Sequence, residues 1–145
     1  PHYHLHDCVV PRTKLVDVLA GVYEIAGRHE LVVTNVFHAG DGNLHPLLSF
    51  DRSMPGTLER VLRASEEIVR LCVGAGGALS GEHGIGLEKR DYMCLMFSEA
   101  DLAPMHWVHD AFDPDDRCNP GKQIPAPRAC AESNPRHRGY EHVSF

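Results

Sequence analysis

A chain of 145 residues with a net charge of −6, 43% hydrophobic and 23% charged residues has the size and make-up of one soluble globular domain. With three lysines and eleven scattered arginines it lacks the clustered cations that bind phosphate backbones, which excludes nucleic acid as a partner. No apolar run approaches the roughly 20 residues of a membrane span, and no signal peptide opens the sequence, so a cytoplasmic protein is expected, brought to a membrane only by partner subunits.

Residues 4 to 10 read as a short strand stopped by Pro11. His2, His4 and His6 alternate along an extended opening segment, read as the start of a strand in preference to a metal tract. From Thr13, a plausible N-cap, to Arg28 the residues Leu15, Val18, Leu19, Val22, Ile25 and Ala26 recur at helical spacing and predict an amphipathic helix. Arg12, at its entrance, is a candidate to hold a substrate carboxylate. Leu31 to Phe37 and Leu47 to Phe50 then form two apolar runs around His38-Ala-Gly-Asp-Gly-Asn-Leu-His45. Glycine and asparagine tolerate the positive φ of tight turns, so the two runs predict a hairpin with His38 and His45 at one end, about 5 Å apart at Cβ.

Ser53-Met54-Pro55-Gly56 turns the chain into a second helix ending near Gly74, with Glu59–Arg63 and Glu66–Arg70 as i,i+4 pairs on its wet face. Ala78 to Ser80 reads as a last short strand, followed by Gly81-Glu82-His83-Gly84-Ile85-Gly86. The order strand, helix, strand, strand, helix, strand predicts an α+β fold. It is that of a ferredoxin-like β-α-β-β-α-β antiparallel sheet with helices on one face. Further helices are expected at residues 89–97 and from Ser98, whose Ser-x-x-Asp start has capping-box form, to Phe112. His106 and His109 lack a third ligand nearby. Residues 1–125 are expected as the domain and 126–145, rich in Pro, Arg and Ser, as a loose tail. Cys8, Cys72, Cys94, Cys118 and Cys130 contain no C-x-x-C pair and are expected as unpaired thiols in a reducing compartment.

Two imidazoles at hairpin distance suit a shared cation at about 2.0 to 2.1 Å from each nitrogen, and Glu82 supplies an anionic third ligand. Three protein ligands leave a position open for substrate, and His83 is left for proton chemistry. Neither glycine-rich stretch has G-x-G-x-x-G spacing after a strand or a P-loop Lys-Ser/Thr. The glycines around Glu82 and His83 are expected instead where backbone passes close to a flat ligand.

Three ordered motifs carry a resemblance: His38 to His45, Gly76 to Lys89 through Ser80-Gly81-Glu82-His83, and Asp113-Pro114 followed by Asn119-Pro120-Gly121-Lys122. Over about residues 7 to 130 the chain resembles the C-terminal domain of FAD-linked oxidases, the group of glycolate oxidase flavoprotein subunits and of D-lactate and D-2-hydroxyglutarate dehydrogenases. Such proteins place a large FAD-binding domain before this one, so the resemblance implies an N-terminally incomplete fragment, inactive alone. It implies FAD held mostly by a domain or subunit absent here, and a divalent metal, Zn, Mn or Fe, on His38, His45 and Glu82. His83 becomes the base that takes the hydroxyl proton of a small 2-hydroxy acid, Asn43 orients that substrate, and Asn119 and Lys122 lie near the flavin. An iron-sulfur electron-transfer subunit is the further partner implied. The apolar Pro46-Leu47 favours lactate or glycolate over a dicarboxylate. Two alternatives stand beside this reading: a non-catalytic metal-binding cap that docks to a separate flavoprotein, and a metal hydrolase with Glu82 or His83 as base.

Overall fold

The computed structural model describes residues 2–127 and 129–132. They fall into two compact units that divide after residue 84. In the first, strands β1 (His2–Leu5) and β2 (Cys8–Val9) precede a 3-10 turn (Arg12–Lys14) and helix α1 (Leu15–Arg28). The hairpin β3 (Val32–His38) and β4 (Asn43–Phe50) follows, then helix α2 (Thr57–Gly74). Strand β4 is the centre of an open antiparallel sheet: β1 and β2 pair along one side of it and β3 along the other. The fold is therefore α+β, and its first unit has the split arrangement expected of a ferredoxin-like chain.

Leu5 faces Leu47 and Cys8 faces Leu44, so β1 and β2 are one strand in one register. The interruption at His6–Asp7 has a covalent cause. His6 donates its N–H to the Pro46 carbonyl at 2.9 Å, but proline has no N–H to return, and the ladder loses a rung. The expected fourth strand, Ala78 to Ser80, shrinks to a single antiparallel bridge between Ala78 and Val9. Helix α2 ends in a Schellman turn, with Gly77 N–H bonded to the Cys72 carbonyl, Gly76 N–H to that of Val73, and Gly76 at φ 83°. That turn delivers the chain directly onto Val9.

One sheet face is buried beneath the helices. Cys8, Val10, Leu44 and Leu48 pack there with Val18, Val22 and Ile25 of α1 and Val61, Ala64, Ile68 and Cys72 of α2, the stripes that period 3.6 predicts. His4 belongs to this layer and meets Ser65 at 3.2 Å. The i,i+4 pairs Glu59–Arg63 and Glu66–Arg70 form as expected.

In the second unit the expected 89–97 helix is broken into α3 (Leu87–Arg90) and a 3-10 turn (Asp91–Leu95). Helix α4 (Glu99–Phe112) opens with the reciprocal Ser98–Asp101 capping box. A disulfide joins Cys94 to Cys130, which corrects the expectation of unpaired thiols: C-x-x-C spacing cannot reveal partners 36 residues apart. Cys130 lies in α5 (Ala129–Glu132), and its N–H is held by Glu99 at 2.8 Å. Of the expected loose tail, residue 128 and residues 133–145 lie outside the described residues. No helix among the described residues is long and apolar enough to cross a membrane.

At the end of α1, His29 Nε2 meets Glu67 of α2 at 2.8 Å and Arg28 pairs with its other oxygen. The His29 hydrogen bond first, then Arg28, holds the Glu67 carboxyl below its ordinary 4.5. A lowered folded-state value gives stability that is present above about 4.5 and is lost as pH falls through the folded value. For so exposed a pair the gain is about 1 kcal/mol or less. The stability gap between wild type and Glu67→Gln, measured by urea titration, is expected to be open at neutral pH and to narrow as pH falls below about 4.5 through the folded value; a gap that stays constant while the carboxyl is protonated contradicts the assignment.

Candidate metal centre

The hairpin places two of the expected ligands. Asp41 N–H bonds back to the His38 carbonyl at 3.0 Å and Gly42 takes φ 74°, closing a turn over residues 39–42. His38 is paired with Asn43 and His45 with Val36, so the two imidazoles are diagonal neighbours on one face, ring centroids 5.4 Å apart and edge to face. Alternation along β4 sets His45 on the face opposite Leu44 and Leu48. The site therefore lies on the sheet face, beside the hairpin turn.

Pro46 fixes how His45 is presented. The His6 carbonyl, deprived of its ladder donor, is met at 3.3 Å by His45 Nδ1. A carbonyl only accepts, so this contact assigns the proton to Nδ1 and leaves Nε2 with its lone pair outward. His45 is only 6% exposed, and its ring is locked.

The third ligand arrives from the segment after α2. Running antiparallel to β2 from the Ala78–Val9 bridge, the chain reaches Asp7, which stands opposite His45, and wraps round it. The buried Asp7 Oδ2 accepts the Ser80 hydroxyl at 2.6 Å and the N–H groups of Gly81, Glu82 and His83 at 3.0, 3.1 and 2.9 Å. Gly84 N–H returns to Ser80 Oγ at 2.7 Å. Glu82 is thereby carried back over the sheet.

Its Oε1 lies 3.0 Å from His45 Nε2, 3.7 Å from His38 Nε2 and 3.6 Å from His83 Nε2. Tetrahedral ligands at about 2.1 Å from a cation stand about 3.4 Å from one another, and the His38–His45–Glu82 atoms, all within 4.8 Å, match that spacing. With the proton on Nδ1, two lone pairs face each other across the 3.0 Å gap, a repulsion that a cation between them converts into attraction. The donor set, two nitrogens and a carboxylate, is one that divalent transition metals take. A second group, Asp7, His45 and His83, shares His45, but its carboxylate already receives four donors. His83 stacks on His45 with centroids 5.1 Å apart and, like His38 and Glu82, has about half its side chain open to solvent.

Asn43 is buried, its Nδ2 3.5 Å from His45 Nε2. The glycine expectation needs correcting here. A Cβ on Gly81 would stand 2.6 Å from Asn43 Oδ1, whereas Cβ atoms on Gly84 and Gly86 would meet nothing within 4 Å. Gly81 is bare for a neighbouring side chain, not for a flat ligand. Arg12 is exposed in the 3-10 turn, its backbone against Gly42. Asn119 and Lys122 belong to the second unit, where the Lys122 ammonium donates to Asn119 Oδ1 at 3.3 Å and both line a cleft of about 500 Å3 with Arg90 and His106. His106 holds the Pro125 carbonyl at 2.9 Å, and His109 joins Asp113 and Asp116. Asp113 is a helix-end cap: the N–H groups of Arg117 and then Cys118 hold its carboxyl below the ordinary range.

Sequence reasoning gave Asp7 no role, quoted Ser80 only as part of a motif and read Pro46 only as an apolar neighbour of the second histidine. The only available signals were a carboxylate inside an apolar strand and a proline inside another.

The family model for FAD linked oxidases, C-terminal domain, matches residues 1–123. The glycolate oxidase subunit GlcD of Escherichia coli K12 is 45% identical over the whole chain, which spans 29% of that protein. GlcD of Bacillus subtilis is 35% identical over 83% of the chain, covering 26% of that protein, and the mitochondrial D-lactate dehydrogenase [cytochrome] of Kluyveromyces lactis is 34% identical over 80%, covering 20%. The chain thus spans less than a third of the curated relatives it matches.

Gly81→Ala is expected to cost about 1–3 kcal/mol in urea denaturation, the range of an overpacked site, while Gly86→Ala is close to neutral. Equal effects of the two would remove the assigned contact with Asn43.

Proposed function

We propose, from the premise that this chain belongs to the FAD linked oxidases, C-terminal domain family, that it is the substrate and metal end of an enzyme oxidising a small 2-hydroxy acid of the glycolate or D-lactate class. The observation that carries this reading is the convergence of the His38, His45 and His83 Nε2 atoms on Glu82 Oε1. His38, His45 and Glu82 hold a divalent cation, Zn, Mn or Fe. A cation in such a set supplies Lewis acidity, lowering by several pH units the point at which a bound hydroxyl gives up its proton.

The protein side chains do the rest. His83 presents a half-open imidazole beside the cation site and takes the hydroxyl proton at its free ring nitrogen. Asn43, fixed between Gly81 and His45, directs an amide toward the substrate oxygen, and Arg12 offers a guanidinium to the carboxylate. The net change, loss of that proton and of the α-hydrogen with its electron pair, yields a 2-oxo acid. The antiparallel sheet offers no strand–glycine-loop–helix cradle for a dinucleotide, so the residues described do not fit FAD. The flavin, as electron sink, belongs to a further domain or subunit, with Asn119 and Lys122 toward it and an iron-sulfur subunit as the next electron carrier. The setting proposed is the cytoplasm.

The test uses Co2+ as a coloured probe on the 145-residue chain. One ion per chain is expected, glycolate or D-lactate is expected to alter the visible spectrum by entering the open coordination position, and His45→Ala is expected to abolish both effects. Absence of binding, or a bound ion indifferent to 2-hydroxy acids, overturns the reading. The same chain mixed with FAD is expected to turn over neither acid; sustained flavin reduction would contradict the assignment of FAD to another domain.

A further inference from the structure

The buried carboxylate of Asp7 has no part in the proposal above, yet its geometry governs where two of that proposal's residues stand. Residues 80–84 form no helix or strand, so their N–H groups find no ladder partner and need an acceptor. Four donors from this loop meet one atom, Asp7 Oδ2, all within 3.1 Å. Successive N–H groups converging on an anion form a nest, and bonds to an ionised acceptor are roughly twice as strong as neutral ones. Asp7 itself is 1% exposed, and a carboxylate so buried is tolerated because donors surround it. Loop and carboxylate therefore stabilise each other.

Two of those donors belong to Glu82 and His83 themselves, so the carboxylate fixes their backbone directly. On its other side, Asp7 Oδ1 lies 4.0 Å from His45 Nδ1, next to the His6 carbonyl that already accepts from that nitrogen. A negative charge there favours the proton on Nδ1 and keeps Nε2 bare toward Glu82, the way outer groups orient and tune metal-binding histidines.

We infer that Asp7 is the positioning residue of this site: one oxygen sets the loop that carries Glu82 and His83, and the other favours the His45 tautomer that faces the cation. The inference rests on the metal reading of His38, His45 and Glu82 and deepens it. Asparagine at this position keeps the shape but removes the charge.

Co2+ titration of the full chain, with hydrogen exchange at the amides of residues 81–83, tests it. Asp7→Asn is expected to weaken Co2+ binding about 10- to 100-fold, the cost of losing an outer-sphere partner, to alter the ion's visible spectrum and to speed exchange at those three amides. Ser80→Ala, which leaves the carboxylate and the three N–H groups, is expected to show the same changes to a smaller extent. Should Asp7→Asn fail to fold, Ser80→Ala decides: wild-type affinity and wild-type exchange in that variant overturn the inference. Folded Asp7→Asn with wild-type affinity and spectrum also overturns it, even if the variant is less stable, because a merely structural residue would behave that way. Wild type that binds no Co2+ removes the metal reading itself, a separate outcome from wild-type binding that Asp7→Asn leaves intact.

Discussion

Four hydrogen bonds to a single carboxylate oxygen join two stretches of chain 73 to 76 residues apart. Beyond the Ala78–Val9 bridge, that junction is where the N–H groups of residues 81–83 find their acceptor. With it, the loop turns over the sheet and Glu82 arrives beside imidazoles fixed by an independent hairpin. The site is thus built from two rigid parts, a β-hairpin and an anchored loop, and the anchor is the strand residue opposite His45.

Pro46 shows how a departure from ordinary strand chemistry is put to use. Proline inside a central strand removes a ladder hydrogen bond, and here it leaves the carbonyl of His6 without its backbone donor. That carbonyl then orients His45. A defect in one rung becomes the constraint that points an imidazole nitrogen outward. The helical layer beneath, where Leu44 and Leu48 are fully buried, keeps the strand in place while its opposite face carries chemistry.

Periodicity and turn chemistry made much of this legible from the residues alone. The apolar stripes of α1 and α2, the hairpin around residues 39–42, the capping box at Ser98 and the convergence of Glu82 on His38 and His45 all follow from local pattern or from motif residues. What stayed hidden depends on neighbours far along the chain. Asp7 drew no reading because its four donors come from a loop with no regular pattern. The last strand shrank to one bridge because the N–H groups of residues 81–83 turn to the Asp7 carboxylate and not to a strand neighbour. The Cys94–Cys130 bond was masked by an odd cysteine count and by a spacing that fits no short motif. The glycines round His83 suggested a ligand, yet Gly81 answers to Asn43.

The family match extends over residues 1–123 and includes every residue of the His38–His45–Glu82 group, so the chemistry proposed stands on residues the chain itself contains. X-ray absorption at the zinc edge of the zinc-loaded chain is the most direct measurement. Two imidazole nitrogens at about 2.0 to 2.1 Å with carboxylate oxygen at about 2.0 to 2.2 Å is the predicted shell. A shell lacking imidazole, or one dominated by sulfur at about 2.3 Å, would contradict the account.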